Sequence, residues 1–232
     1  MNKTFIDKIS VIVPVLNETK ILRRTLGQFR LTDNEEVIVV DGGSNDDTVA
    51  VAREFTDRVF TAKTGRARVM NFGARNAQGD ILLFLHADCT LPNDAFNLIR
   101  DVLKNKDIAA GAFALRIDDS RMRFRIIEKF SNLRAELSSL IYGDQGMFIR
   151  KETFKSIGGF ADISLMEDIE ISLTLKKTGK IVFVKQPIKA SSRRWVEEGV
   201  IYTTLRDWIS AFSYTFLKIS PERLLKYYKY VR

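Results

Sequence analysis

The sequence contains one cysteine and one histidine among 232 residues. A single cysteine, Cys89, excludes an internal disulfide framework and a metal site built from several cysteines. We expect Cys89 to be an unreactive thiol, and a reducing compartment is compatible with this composition. A single histidine, His86, excludes a histidine-rich zinc site, and a serine-type catalytic triad would have to use His86 as its base.

Long apolar runs are also absent. No segment approaches the roughly 18 consecutive apolar residues of a membrane-spanning helix. Residues 1–10 lack the apolar stretch of a signal peptide, so we expect a cytoplasmic protein. Apolar residues make up 45% of the chain and charged residues 28%, which excludes a disordered protein and predicts a globular one. The length suits one large domain or two small ones.

Positive charge is concentrated late in the chain, whose net charge is +8. Residues 121–134 carry five Lys or Arg against one Glu, and residues 185–232 carry ten Lys or Arg against four acids. Such segments bind a nucleic acid, an anionic membrane or a phosphorylated substrate, or they form a solvated surface. The aromatic and basic motif of RNA-binding domains is missing, so we expect no nucleic-acid partner.

The first half of the sequence alternates apolar strands with amphipathic helices. Strands are predicted at 9–15, 36–40, 58–61 and 80–85, and helices at 18–30, 46–56 and 66–77. Pro92 is expected in the first turn of the next helix. This alternation predicts an α/β fold with a mainly parallel, Rossmann-like sheet that helices cover on both faces.

The second half is less regular. Strands are predicted at 108–115, 146–149 and 181–184, and helices at 121–141, 167–177, 199–217 and from Ser220 through the C-terminus. Two of these helices carry an apolar stripe, formed by Ile126, Phe130, Leu133, Leu137 and Leu140 in the first and by Ile201, Leu205, Trp208, Phe212 and Phe216 in the second. We expect one continuous α/β domain followed by a C-terminal helical appendage.

Polar residues follow several of the predicted strands, and ligands of open α/β sheets bind outside the carboxyl ends of the strands. The polar segments are Pro14–Glu18, Asp41–Asp46, His86–Asp88 and Gly143–Gly146. They line one crevice if the strands are neighbours. Asp41 in that position accepts hydrogen bonds from a ribose or a base, or only from its own turn.

Other polar residues each admit a functional and a structural interpretation. Asp88 offers the oxygen ligand that Mg²⁺ and Mn²⁺ prefer, or caps the following helix. His86 is a ligand or a packed side chain. The carboxylates of residues 167–170 supply a general base or complement a helix dipole. The segment Arg193–Trp195 binds a diphosphate or forms an Arg–Trp packing pair.

The order of the motifs along the chain is more specific than any one motif. The series is Val13–Glu18, Val39–Thr48, Gly65-Arg66 with Asn71–Ala74, Gly79–Asp88, Gly158–Phe160 and Met166–Asp168. From about residue 9 to 195 it resembles family 2 glycosyltransferases of the GT-A fold. The variants Gly65–Arg68 and Ser192–Trp195 are similar to a small bacterial subgroup of that family.

The resemblance implies a nucleotide diphosphate sugar as donor, most often a UDP-sugar, with Mn²⁺ or Mg²⁺. The donor-binding residues that it implies are Pro14, Leu16, Asn17, Glu18, Asp41, Gly42, Gly43, Arg66, Asn71, His86, Ala87, Asp88, Arg193, Arg194 and Trp195. Asp88 matches the last carboxylate of the family's Asp-x-Asp motif and would hold the metal. His86 stands where the first Asp is usual, which leaves the number of protein–metal contacts open.

The resemblance also implies the catalytic residues. Asp168 matches the general base of the family's Glu-Asp pair, with Glu167 beside it, and Gly143, Asp144 and Gln145 would border a hydroxyl acceptor. One base without a separate nucleophile predicts an inverting transfer. Residues 1–105 would then bind the donor, residues 106–195 would hold the acceptor and the catalytic base, and residues 196–232 would form membrane-peripheral or oligomerising helices.

Two other functions stay open. A sugar-nucleotide nucleotidyltransferase has a similar fold but usually begins with a glycine-rich phosphate loop, whereas residues 13–20 contain no glycine. A non-catalytic basic module would bind a nucleotide or polyanion. The late basic segments predict weak contact with an anionic membrane at the inner face. Packing of their apolar stripes on the core or in a homodimer is the alternative. The sequence does not identify the hydroxyl acceptor, and lipid-linked and phosphorylated compounds are among the candidates.

Overall fold

The computed structural model describes residues 7–228. Its strands are β1 (Ile9–Val15), β2 (Glu35–Asp41), β3 (Val59–Thr61), β4 (Ile81–Phe84), β5 (Cys89–Thr90), β6 (Ile108–Ile117), β7 (Met147–Arg150) and β8 (Lys180–Ala190). Its helices are α1 (Thr19–Leu26), α2 (Thr48–Arg53), α3 (Arg66–Asn76), α4 (Ala95–Leu103), α5 (Met122–Ser138), α6 (Lys151–Ser156), α7 (Glu167–Leu175), α8 (Arg193–Glu198), α9 (Val200–Leu217) and α10 (Pro221–Leu225). A 3₁₀ turn covers Gly143–Gln145.

The strands form one sheet of order β3-β2-β1-β4-β7-β6-β8-β5. The pairs β1–β2, β1–β4, β2–β3 and β6–β8 are parallel, whereas β7 runs antiparallel to β4 and β6, and β5 antiparallel to β8. The predicted α/β fold with a mainly parallel sheet is therefore confirmed. All seven residues of β2 are buried, as expected of a parallel strand covered on both faces.

The core lies in two layers, one on each face of the sheet. Along β1, Val11 and Val13 pack into one layer and Ile12 packs into the other, because successive side chains of a strand point to opposite faces. The first layer includes residues of α1, α2 and α4, and the second includes residues of α3, α6 and α7. Both faces of the sheet are thus closed, and polar chemistry is left to the strand ends.

The register of the strands brings the predicted polar loops to one edge. Val15 of β1 pairs with Asp41 of β2, and Ile12 pairs with Phe84 of β4. Phe84 also pairs with Met147, the first residue of the antiparallel β7. The loops after β1, β2 and β4 and the 3₁₀ turn before β7 therefore meet at the same edge of the sheet.

Several predicted element boundaries were wrong. The short strand β5 pairs with β8 and displaces the start of α4 to Ala95, so Pro92 lies before that helix and not in its first turn. Helix α5 ends at Ser138, and Leu140 is buried beyond it. The elements β5, α6 and α8 were not predicted. The last predicted helix ends at Leu225, and residues 229–232 lie outside the described part of the chain.

Two of the predicted apolar stripes face outward. Most of the stripe of α5 and most of that of α9 are exposed, so within residues 7–228 these exposed side chains do not pack on the core. None of the helices within residues 7–228 combines the length and the apolar content needed to cross a membrane.

Candidate active site

A cavity of about 490 Å³ opens at the edge where the strand ends meet. It gathers segments that are far apart in sequence, from the loop after β1 to α10. The predicted site residues that line it are Pro14, Leu16, Glu18, Gly42, Arg66, His86, Ala87, Asp88, Gly143, Asp144, Gln145, Glu167, Asp168, Arg193, Arg194 and Trp195. The C-terminal helices α9 and α10 contribute to its wall as well.

Four predicted site residues, Asn17, Asp41, Gly43 and Asn71, do not line this cavity. The Asp41 carboxylate accepts hydrogen bonds from the backbone N–H groups of Gly43 (3.0 Å) and Ser44 (3.1 Å), so it closes its own turn. Asn17, at a left-handed φ of 54°, accepts the N–H of Asn45 at 2.9 Å. These residues shape the loops behind the cavity wall.

Asn71 lies on α3, away from the cavity. Its amide donates to the carbonyl oxygen of Phe160 at 2.8 Å and accepts the Phe160 N–H at 3.0 Å. Both ends of the side chain are therefore used to hold the turn at Gly158-Gly159, where φ is +84° and +77°. Asn71 is therefore a structural support for that turn.

Arg66, the first residue of α3, bridges two other site residues. Its Nη2 lies 2.5 Å from Nε2 of His86, and its Nε lies 3.4 Å from a carboxylate oxygen of Glu167. Burial, together with the positive charges of Arg66 and Arg194, lowers the pKa of His86 well below its usual value, so the imidazole is neutral. Burial raises the pKa of Glu167, and Arg66 opposes that shift.

The histidine ring fits closely over the 3₁₀ turn. A Cβ atom added to Gly143 would lie 2.7 Å from Cε1 of His86, which is too close for any real Cβ contact. Glycine at this position therefore gives the imidazole its space.

His86, Asp88 and Cys89 form a candidate metal group, since their ligating atoms all lie within 4.8 Å of one another. Cys89 is completely buried. Burial raises the pKa of its thiol well above the usual value, which disfavours the thiolate form that binds metals. Asp88 supplies the oxygen that Mg²⁺ and Mn²⁺ prefer, and neutral His86 offers a nitrogen that Mn²⁺ accepts.

Asp168 lies in the first turn of α7, where the helix dipole favours negative charge. One carboxylate oxygen accepts the N–H of Gly143 at 2.8 Å, and the other accepts the N–H of Ile169 at 2.8 Å. Met166, the residue before the first residue of α7, has a left-handed φ of 69° and turns the chain into the helix. The carboxylate is thus fixed to the wall by two backbone donors.

The segment Arg193–Trp195 connects the C-terminal helices to the cavity. Arg193 Nη2 lies 2.9 Å from the Glu18 carboxylate in the loop after β1. Arg194 Nη2 lies 2.7 Å from the carboxylate of Asp207 on α9. Trp195 is buried and packs edge-to-face on Phe124, with ring centres 6.4 Å apart. The segment lines the cavity, and the Arg194 guanidinium carbon lies 5.3 Å from the ring centre of Trp195. The Arg–Trp packing pair is therefore present, and diphosphate binding stays a prediction.

Sequence reasoning missed a cationic group on the other side of the cavity. Arg134 Nε and Nη1 are buried and make no hydrogen bond within residues 7–228. The guanidinium carbon lies 4.0 Å from the ring centre of Tyr142 and 5.2 Å from that of Trp208. The available signal was helical spacing: Ile127, Ser131 and Arg134 all line the cavity from one face of α5.

Comparison with known proteins identifies the family. The model of glycosyl transferase family 2 matches residues 10–160, well over half of the chain. The chain belongs to glycosyltransferase family 2. The resemblance inferred from the motif order is therefore confirmed.

The curated relatives are longer than this chain. It is 30% identical over 172 residues to a dolichyl-phosphate β-glucosyltransferase of Trichomonas vaginalis, covering 62% of this chain and 53% of that protein. It is 26% identical over 207 residues to a probable glycosyltransferase of Bacillus subtilis, covering 77% of this chain and 49% of that protein. The chain thus spans about half the length of these two relatives.

Solved structures share the fold at low sequence identity. A mannosyltransferase of Pyrobaculum calidifontis, in complex with GDP-Man and Mn²⁺, superposes with a TM-score of 0.72 at 18% identity, covering 96% of this chain and 68% of that one. Residues 1–349 of TarS from S. aureus, in complex with UDP-GlcNAc, give a TM-score of 0.63 at 17% identity, covering 95% and 70%. The chain therefore has the GT-A fold.

Asp144 generates a pH-dependent prediction. Burial, with the nearby charges of Asp168 and Asp207, raises its pKa from 3.8 to about 6, against the opposing effect of Arg194. At a pH between these two pKa values, the folded protein binds more protons at Asp144 than the unfolded chain does. The free energy of unfolding therefore falls as the pH rises from about 4 to about 6. We expect Asp144→Asn to be more stable than wild type at pH 7, with a difference that disappears near pH 4.

Urea unfolding followed at several pH values measures this difference. The matched control is Asp101→Asn, since Asp101 is exposed on α4 and pairs with Lys104 at the surface. The control should stay within about 0.5 kcal/mol of wild type. A stability difference for Asp144→Asn that is the same at pH 4 and pH 7 would contradict the assignment.

Proposed function

We propose that this chain transfers a sugar from a nucleotide diphosphate sugar, most simply a UDP-sugar, to an acceptor hydroxyl with inversion. The observation that carries the proposal is the shared cavity, whose wall includes both Asp88 and the backbone-fixed Asp168. Family membership favours glycosyl transfer over the nucleotidyltransferase and the non-catalytic alternatives. The fold neighbours were solved with GDP-Man or UDP-GlcNAc, so their ligands support a nucleotide sugar as the class of donor.

The donor would lie along the loops after β1, β2 and β4. Pro14, Leu16 and Gly42 line the cavity there and would contact the nucleoside. Arg66, Arg193 and Arg194 bring positive charge to the same cavity, and guanidinium groups match the geometry of phosphate oxygens. Asp41 would act indirectly, by holding the Gly42-Gly43 turn in place.

Asp88, together with the diphosphate oxygens of the donor, would hold Mg²⁺ or Mn²⁺. The oxygen ligand fits either ion, while the lone pair of His86 is already close to Arg66 Nη2. When bound, the ion offsets the negative charge that develops on the leaving diphosphate. Arg66 is placed to add to that stabilisation because it is a fixed cation on the cavity wall.

Asp168 would remove the proton of the acceptor hydroxyl. The N–H groups of Gly143 and Ile169 orient its carboxylate, whereas Glu167 is paired with Arg66 and serves to position that cation. A single base on the acceptor side fits one in-line displacement through an oxocarbenium-like transition state, and hence inversion.

The acceptor would carry an anionic group beside its hydroxyl. Arg134 supports this, because two of its buried N–H donors have no hydrogen-bond partner within the described residues and the side chain faces the cavity. A buried donor without a partner costs about 1–3 kcal/mol. A phosphate on the acceptor would satisfy both donors, and it matches the guanidinium better than a neutral group does.

The first prediction from the proposed mechanism concerns the base. Asp168→Asn should retain binding of the donor nucleotide and lose at least about a hundredfold in turnover, the usual contribution of a general base. Glu170→Gln is the matched control, since Glu170 lies on the same helix outside the cavity and accepts the hydroxyl of Tyr214. Release of UDP from a sugar donor measures turnover. Transfer at the wild-type rate by Asp168→Asn would remove Asp168 from the mechanism.

The second prediction concerns the metal. A thermal-shift panel of UDP, GDP, CDP and ADP, each with and without Mn²⁺, should give stabilisation by one nucleotide that requires the ion. At 100 times the dissociation constant the stabilisation is about 2.7 kcal/mol. Asp88→Asn should abolish the Mn²⁺ requirement, whereas the surface variant Asp101→Asn should keep it. An ion-dependent shift that survives in Asp88→Asn would place the metal on other residues.

The third prediction concerns Arg134. In the presence of the preferred nucleotide, a short alkyl phosphate should stabilise the wild-type protein more than the corresponding alcohol does. Arg134→Gln should remove the difference, because the amide lacks the positive charge. Arg123→Gln, at an exposed position of the same helix, is the control and should keep it. Equal stabilisation of wild type by phosphate and alcohol would argue against an anionic acceptor.

A further inference from the structure

Helix α9 has the reverse of the usual amphipathic arrangement. Its buried positions include the polar residues Thr203, Arg206, Ser210 and Ser213. All of its exposed positions carry aliphatic or aromatic side chains. The aliphatic and phenylalanine side chains among them are 53–76% exposed; they are Ile201, Leu205, Ile209, Phe212, Phe216 and Leu217. Charged side chains on α9 are limited to Arg206 and Asp207, which pair with each other on the inner side. Surface helices of globular proteins turn the apolar face inward.

Helix α5 shares part of this arrangement, although Arg123, Lys129 and Glu136 are also exposed on it. Glu128 and Ser131 are buried, whereas Met122, Ile126, Phe130, Leu133 and Leu137 are 47–79% exposed. The two helices meet where Phe130 contacts Trp208, with ring centres 6.4 Å apart. Together these exposed faces form one surface, which we call the α5–α9 apolar surface. A contiguous patch of this kind on a soluble domain marks an interaction site.

Basic residues lie beside the α5–α9 apolar surface. Arg121, Arg123 and Lys129 are exposed on or next to α5. Lys218, Arg223 and Lys226 are exposed just after α9. Two copies of the chain that met through this surface would bring these like charges together, which disfavours a homodimer. A negatively charged lipid surface instead accepts the apolar side chains and attracts the cations.

We propose that the α5–α9 apolar surface docks on the interface of an anionic membrane. The same two helices also line the cavity, through Ser131 and Arg134 on α5 and Asp207 and Trp208 on α9. Docking therefore brings lipid to the side of the cavity that holds Arg134. A membrane-borne acceptor would be a further step, and this step rests on the proposed function. The proposal that the surface docks on a membrane does not depend on that function.

Vesicle co-sedimentation of the full chain tests the docking. Vesicles of phosphatidylcholine alone are compared with vesicles that contain about one third phosphatidylglycerol, at about 0.1 M and about 0.5 M salt. We expect binding to the anionic vesicles that weakens at high salt. The double variant Ile209→Gln/Phe212→Gln should bind at least about tenfold more weakly than wild type. It loses two apolar side chains from the face that would enter the membrane. These exposed positions tolerate polar side chains, so the variant should fold.

The matched control replaces exposed apolar residues elsewhere. Leu31→Gln/Phe55→Gln changes two side chains that are 40% and 37% exposed outside α5 and α9, and it should bind as wild type does. Absence of wild-type binding, equal binding to both vesicle types, or equal binding by both double variants would overturn the proposal. So would a wild-type dimer that Ile209→Gln/Phe212→Gln converts to a monomer, since a second copy would then cover the surface.

The nucleotide thermal shift, run on the same samples, separates this proposal from the proposed function. If the shift persists without vesicle binding, docking fails and the transfer reaction is unaffected. If vesicles bind and no nucleotide does, the docking surface stands and the proposed function fails.

Discussion

Strand β1 is the constraint on which the site depends, because it lies in parallel register between β2 and β4 and is buried on both faces. Parallel strands with common polarity end at one edge, and the antiparallel β7 starts there. Residues more than 100 positions apart in sequence thus reach one cavity. A shift of β1 by one residue would exchange the two layers of the core, so the packing that stabilises the sheet also fixes the site.

The charges of the cavity are divided between support and chemistry. Arg66 is paired with Glu167 and Arg193 with Glu18, so two buried carboxylates are compensated by cations from distant elements. The first pair ties α3 to α7, and the second ties α8 to the loop after β1. Asp88 and Asp168 are absent from the ion pairs found within residues 7–228, and the backbone orients Asp168. The proposed reaction uses these two carboxylates.

The sequence pattern predicted the fold well, because strands buried on both faces give apolar runs and the runs alternate with helices. It also indicated most of the cavity wall, because polar residues that directly follow parallel strands lie at the same edge of the sheet. It did not separate residues that face the cavity from residues that build loops, as Asp41 and Asn71 illustrate. Periodicity identified the apolar stripes of α5 and α9 but not whether they face the core, because that depends on which neighbours cover the helix. Arg134 was missed for the same reason.

The contact between His86 and Gly143 has a consequence for how this chain differs from its family. The imidazole occupies the space in which a Cβ at position 143 would stand, so the two positions act as a steric pair. A short acid in place of His86, as the family's Asp-x-Asp pattern has it, would leave a void above the glycine and would leave Arg66 without its ring partner. The histidine is therefore more than an exchanged ligand: while it is present, position 143 has room only for glycine, and an aspartate at position 86 would remove that restriction on the turn.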